Sequence, residues 1–165
     1  MRSVRRLRVV AVGGGIVTLA TFARADAPID QYSLFDQTTQ SIQDLRTGLY
    51  WQRYASTTTF LYKDTFATCS AVTLAPFPTG GWRVPSYKEL LTLVDEVPHE
   101  EYENGQLVTK YIDSHAFPGT SIGSVYWSSS LSPATPGTAF TVSFHFGLSQ
   151  TTDVLTNAYV RCVHD

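Results

Sequence analysis

The chain has 165 residues, 43% of them apolar and 13% aromatic against 16% charged, a composition that can bury a core and excludes wholesale disorder. At this length one domain is expected, with no room for two sizeable cores. The formal charge of -2 conceals a basic front end, and the remainder is too acidic to make nucleic acid a partner.

Residues 1–8, MRSVRRLR, supply Arg2, Arg5, Arg6 and Arg8, and an uncharged run from Val9 to Phe22 leads into Ala23-Arg24-Ala25. A basic segment, a short apolar one and small residues at alternate positions make an export signal, so residues 1–25 are expected to be a signal peptide that is removed. The apolar run is 14 residues long and contains Gly13, Gly14 and Gly15; a membrane span needs about 20, so no span is expected after signal removal. Arg5-Arg6 lacks the fuller flanking pattern of a twin-arginine signal, which leaves the general secretory route as the default. These 25 residues hold five of the 12 basic residues and none of the 14 acidic ones, leaving seven against 14, a net -7. Lysines and arginines are scattered singly through that remainder, a surface that repels polyanions.

Residues 26–43 read as a polar lead-in along the surface or as a first edge strand, and residues 44–165 as the domain itself. After a turn marked by Asp44 and Gly48, Leu49 and Trp51 alternate with Tyr50 and Gln52 in an early strand with one face inward. From Leu61 to Leu74, Tyr62, Phe66, Cys69 and Val72 or Thr73 recur three or four residues apart, which predicts a helix with Cys69 on its inner side. Pro76, Pro78 and Gly80-Gly81 break the chain. Ser86 and Glu89 then have the spacing of a capping box opening a second helix, with Leu90, Leu91, Leu93 and Val94 as its apolar stripe and Pro98 as its stop.

Residues 98–124 have little periodicity and are expected to form a long loop region, the kind of segment that often carries function. Tyr102, Asn104, Tyr111, Asp113 and His115 are its candidate ligand-binding residues, because aromatic faces with amides and carboxylates suit sugar rings and hydroxyls. His99, Glu100, Glu101 and Glu103 are adjacent rather than spaced to converge, so they read as a solvated charge run and no metal is assigned. Strands return at Val125 to Ser130, Ala139 to Phe146 and Asn157 to Val163, with turns at Pro133 to Gly137 and near Gly147. In the middle one Phe140, Val142, Phe144 and Phe146 share a face, which points His145 away from the core.

Cys69 and Cys162 are the two cysteines of the chain, both in the exported part, and in an oxidising compartment they should be bonded. Across 93 residues the chain-entropy model gives such a bond about 4 to 5 kcal/mol. Neither a close Cys-x-x-Cys spacing nor a His or Lys set to lower a thiol pKa argues for a redox pair.

Taken in order, Asp44-x-x-Thr47-Gly48-Leu49-x-Trp51-Gln52, Cys69, Trp82-Arg83-Val84-Pro85-Ser86-x-Lys88-Glu89-Leu90-Leu91, Phe117-Pro118, Tyr126-Trp127-Ser128-Ser129-Ser130 and Tyr159-Val160-Arg161-Cys162-Val163 resemble the Lcl C-terminal domain family. The resemblance runs from about residue 44 to the C-terminus. It implies an exported bacterial module, periplasmic, cell-surface or extracellular, of the α+β class. The implied fold is C-type-lectin-like: two helices packed on twisted antiparallel sheets, with a long loop region and one long-range disulfide. In the collagen-like adhesin that gives the family its name the domain binds sulfated glycans, which a net -7 would repel. Related lectins hold calcium through Trp-Asn-Asp where this chain has Trp127-Ser128-Ser129, so neither that calcium site nor any cofactor is expected. Trp51, Trp82 and Trp127 are expected to form the centre of the core, and Arg83 and Arg161 to pair with inward carboxylates such as Asp44 or Glu89.

The function this implies is an exported, non-enzymatic binding or adhesion module that recognises a glycan or a surface protein through residues 98–124. One alternative is a secreted hydrolase or other enzyme, since serines with Asp113, His115 and His145 are raw material for a nucleophilic site, although no Gly-x-Ser-x-Gly or His-Glu-x-x-His motif occurs. The other is a structural component of an envelope assembly.

Overall fold

The computed structural model describes residues 30–34, 40–103 and 105–165; the expected signal peptide and Asn104 lie outside the described residues. The class is α+β, mostly antiparallel sheet with two helices and one disulfide. Strands β1 (Tyr32–Leu34), β2 (Ser41–Asp44) and β3 (Tyr50–Gln52) form a sheet completed by β11 (Val163–His164), in the order β1-β2-β3-β11. Part of the expected lead-in therefore pairs as strand, with β1 on the sheet's edge. Asp44 makes the β2–β3 turn: its buried carboxylate accepts from the Arg46 amide at 2.9 Å and the Thr47 hydroxyl at 2.8 Å, while its carbonyl accepts from the Gly48 amide at 2.7 Å. Short polar side chains that satisfy nearby backbone in this way are what turns select for.

After β4 (Phe60–Leu61), helix α1 covers Tyr62–Ser70. Its buried positions are Thr65 and Cys69, and Phe66 is exposed, leaning edge-on against Tyr62 with centroids 5.2 Å apart. The inward stripe runs Tyr62, Thr65, Cys69 instead of through Phe66. A threonine can sit there because its hydroxyl donates to the Tyr62 carbonyl at 2.6 Å. Cys69 bonds Cys162, with Cα atoms 5.4 Å apart, and so ties α1 to the chain beside β11.

Helix α2 is Tyr87–Leu91. Its capping box is formed: the Glu89 amide donates to Ser86 Oγ and the Ser86 amide to Glu89 Oε2 at 2.7 Å. The helix ends well before Pro98. Thr92 Oγ1 donates to the Glu89 carbonyl at 2.7 Å, Leu93 and Val94 close tight turns on Leu90 and Leu91, and the Asp95 amide leaves for the Tyr111 carbonyl at 3.1 Å. Leu90, in the helix, and Leu93, beyond it, are both buried, so the apolar stripe outlasts the helix that was expected to carry it.

The expected long loop is a second correction. β5 (His99–Glu103) and β6 (Gln106–Lys110) form an antiparallel hairpin in continuous register from His99↔Lys110 to Glu103↔Gln106. A third sheet has the order β7-β8-β9, from β7 (Tyr126–Leu131), β8 (Thr138–Ser143) and β9 (Leu148–Asp153), and β10 (Asn157–Ala158) pairs with β4. β9, with one apolar residue in six, gives no hydrophobic alternation to read. β8 stops at Ser143, so Phe144 is buried but Phe146, expected on the same inner face, stands in solvent on the turn.

The three tryptophans do not form one centre. Trp51 packs with Ile42, Leu90, Ile112, Phe117, Tyr126 and Phe144; Trp82 packs with the disulfide, Val84 and Val160; Trp127 packs with Ala139 and Ala158. Strand alternation explains the division: neighbours Tyr126 and Trp127 on β7 must point to opposite faces of the sheet. Trp127 Nε1 is satisfied by the Phe60 carbonyl at 2.9 Å.

Candidate functional site

The β5–β6 hairpin has two unlike faces because its side chains alternate. Between the strands Gly105 sits at φ +78, a conformation that glycine takes without strain. On one face stand His99, Glu101 and Glu103 with their partners Lys110, Val108 and Gln106; on the other, Glu100 with Thr109 and Tyr102 with Leu107. Lys110 is only 1% exposed, and its ammonium meets both Glu101 and Glu103. The acidic run is therefore not a solvated face: half of it neutralises a buried cation. Burial works against ionisation of Glu101, but Lys110 outweighs it and holds that carboxyl below its ordinary range. His99 Nε2 lies 3.1 Å from Asp95 Oδ2 at the base. Among the described residues no group of three or more His, Cys, Asp or Glu side chains is placed to hold a metal ion.

The outward face is apolar at its tip, with Tyr102 77% and Leu107 53% exposed. A hairpin of two strands is marginal alone, and this one is fixed to the body beyond Lys110: the Tyr111 amide donates to the Phe144 carbonyl at 2.7 Å, and the Tyr111 carbonyl accepts from Asp95. His145 Nδ1 sits 3.2 Å from the Thr109 carbonyl. A Cβ at Gly147 (φ +63) would come within 2.7 Å of the Tyr111 ring, so only glycine lets the β8–β9 turn close on it.

The five candidate binding residues are thus separated in role. Tyr102 is displayed. Tyr111 is half-buried against the β8–β9 turn. Asp113 Oδ1 accepts from the amides of His115 and Ala116, at 2.8 and 3.0 Å, and so builds a turn. His115 is exposed, and its carbonyl accepts from Arg53 at 3.3 Å. Asn104 is outside the described residues. Of the groups considered for a nucleophilic site, Asp113 is engaged with backbone and His145 with Thr109. Sequence reasoning missed Phe146 and Leu148, exposed on either side of Gly147; the signal for them was a glycine turn flanked by apolar residues. A pocket of about 360 Å³ lies elsewhere, lined by Gln31, Asp44, Arg46, Thr47, Leu91, Thr92 and Val94, and its Asp44 carboxylate is already occupied in the β2–β3 turn.

The other singled-out residues hold the scaffold. The Arg83 guanidinium makes a two-pronged contact with Glu89 at 2.9 and 2.8 Å and also meets Asp165. Arg83 holds the Glu89 carboxyl down to about 2, and the pair joins the capping box to the end of the chain. The family model of the Lcl C-terminal domain matches residues 40–164. The chain belongs to the Lcl C-terminal domain family. No curated protein matches it.

Within this Lcl C-terminal domain Arg161 pairs with no carboxylate among the described residues, which corrects the expectation from sequence. It is fully buried, donating to the Gln52 and Arg53 carbonyls at 2.6 and 2.8 Å and to Thr120 Oγ1 at 2.7 Å, with Phe117 4.8 Å from its guanidinium carbon. Burial pushes its pKa down to about 10, and backbone carbonyls with a ring face take the place of an anion. That contact staples the Trp82–Cys162 cluster to the strand end after Trp51.

Proposed function

We propose that this Lcl C-terminal domain is an exported, non-enzymatic binding or adhesion module of C-type-lectin-like fold. It recognises a glycan or a surface protein through the β5–β6 hairpin and the chain that follows. Family membership and a disulfide of the kind kept in oxidising compartments support export to the periplasm, the cell surface or beyond. The observation that carries the binding reading is the Tyr102–Leu107 pair: an aromatic and an aliphatic side chain standing together in solvent on an anchored hairpin, where they offer contact area to a partner. Its test is binding of the exported form to arrayed glycans and immobilised envelope proteins, with and without Tyr102→Ala. Loss of about tenfold or more in affinity at an unchanged melting temperature is expected, since Tyr102 contributes contact area to a partner and little to the fold. Equal binding by the variant to every ligand removes the hairpin from the function.

A further inference from the structure

The face that carries Tyr102 continues beyond the hairpin. Thr109 stands on the same face, two residues from Leu107, and its carbonyl meets His145, whose ring lies 4.3 Å from that of Phe146. One residue later Gly147 lies on the Tyr111 ring, and Leu148 opens β9. Phe146 is 62% and Leu148 65% exposed. Two aromatics and two leucines therefore stand exposed on two hairpins that the Tyr111–Phe144 backbone hydrogen bond and the His145–Thr109 contact join. Single exposed apolar residues need no explanation, but a joined group marks an interaction surface.

Its chemistry narrows the occupant. Sugar-binding platforms surround flat rings with polar groups that read hydroxyls, whereas leucines among aromatics are the makings of a protein interface core. The charge beside it is negative: Glu100 shares the Tyr102 face of the hairpin, and residues 95–116 and 138–153 hold seven Asp and Glu against one Lys and no Arg, that Lys110 being buried against Glu101 and Glu103. β9 is the outer strand of its sheet among the described residues and has neither lysine nor proline to blunt its edge, an edge that suits an added strand starting at Leu148. We propose that Tyr102, Leu107, Phe146 and Leu148 form the docking site for an extended protein segment that presents apolar side chains flanked by lysine or arginine. This rests on the binding-module reading and names its partner.

The exported form, panned against a displayed random peptide library, tests it. Enrichment of sequences combining Lys or Arg with Leu, Ile, Val or Phe is expected. An enriched peptide should lose about tenfold or more in affinity to Tyr102→Ser/Phe146→Ser and weaken several-fold at high salt and in Glu100→Lys, a charge reversal that leaves the apolar area intact. Failure to enrich, enrichment of acidic peptides, or peptides indifferent to these variants overturns the proposal. A parallel arm with neutral oligosaccharides separates the two readings: glycan binding that needs Tyr102 defeats the protein partner and keeps the binding module, while absence of any Tyr102-dependent ligand defeats both.

Discussion

Arg83 and Arg161 show how far a residue's role depends on what surrounds it. Glu89 is ionised more easily in the fold than in the open chain, since Arg83 donates two hydrogen bonds to it and outweighs burial. A depressed carboxylate contributes stability that is fully present above its ordinary value, 4.5, and is lost as the pH falls towards about 2. Acid unfolding should therefore be sensitive to Arg83: in Arg83→Met the loss of stability on acidification shrinks in that window, as denaturant titrations at stepped pH would show. An unchanged pH slope contradicts the role given to the pair. Arg161→Lys should cost about 2 to 4 kcal/mol, because an ammonium cannot serve two carbonyls and a hydroxyl from one plane and leaves buried acceptors unsatisfied; denaturant unfolding measures it. For Arg83 an inward carboxylate, Asp44 or Glu89, was legible in sequence, and the helix start that Glu89 caps makes it Glu89. Arg161 was not, since its partners are main-chain carbonyls of Gln52 and Arg53, and carbonyls have no letter in the sequence.

At the scale of elements the β5–β6 hairpin depends on one buried cation. Lys110→Met leaves Glu101 and Glu103 facing each other without a counter-charge, and the expected loss is about 1 to 3 kcal/mol, less than for a fully buried pair because both carboxylates keep contact with water. Hydrogen exchange should localise the effect, with amides of residues 99–110 losing protection before those of β7 and β8. Uniform protection loss across the sheets would contradict it. The hairpin's turn signal, Asn104-Gly105, was present in the sequence, but the acidic run before it masked the strand: its glutamates alternate between a buried ammonium and solvent, a pattern hydropathy does not register. β9 failed to show for a related reason, because an edge strand exposed along most of its length needs no apolar alternation. Helix α2 was over-extended since Leu93, past the end of the helix, is buried by tight turns as readily as a helix would bury it.

For the molecule as a whole the long-range features were the most legible. Two cysteines have one pairing, and that bond closes a loop from α1 to the residue before the last strand. Reduction should lower stability by about 4 to 5 kcal/mol by the chain-entropy model; comparison of unfolding with and without reductant measures it, and identical curves contradict it. The division of the tryptophans among three clusters was hidden, because sequence marks a residue as core without saying which side of a sheet it enters. That division leaves the centre of the domain to scaffold and the hairpin face to the recognition proposed for it. The most direct test of that account is an amide-shift map by NMR of the exported form, titrated with the tightest ligand from the arrays or the peptide library. Shifts concentrated at residues 100–109 and 145–149 are predicted; shifts centred on the pocket between Asp44 and Leu91, with the hairpin silent, would contradict it.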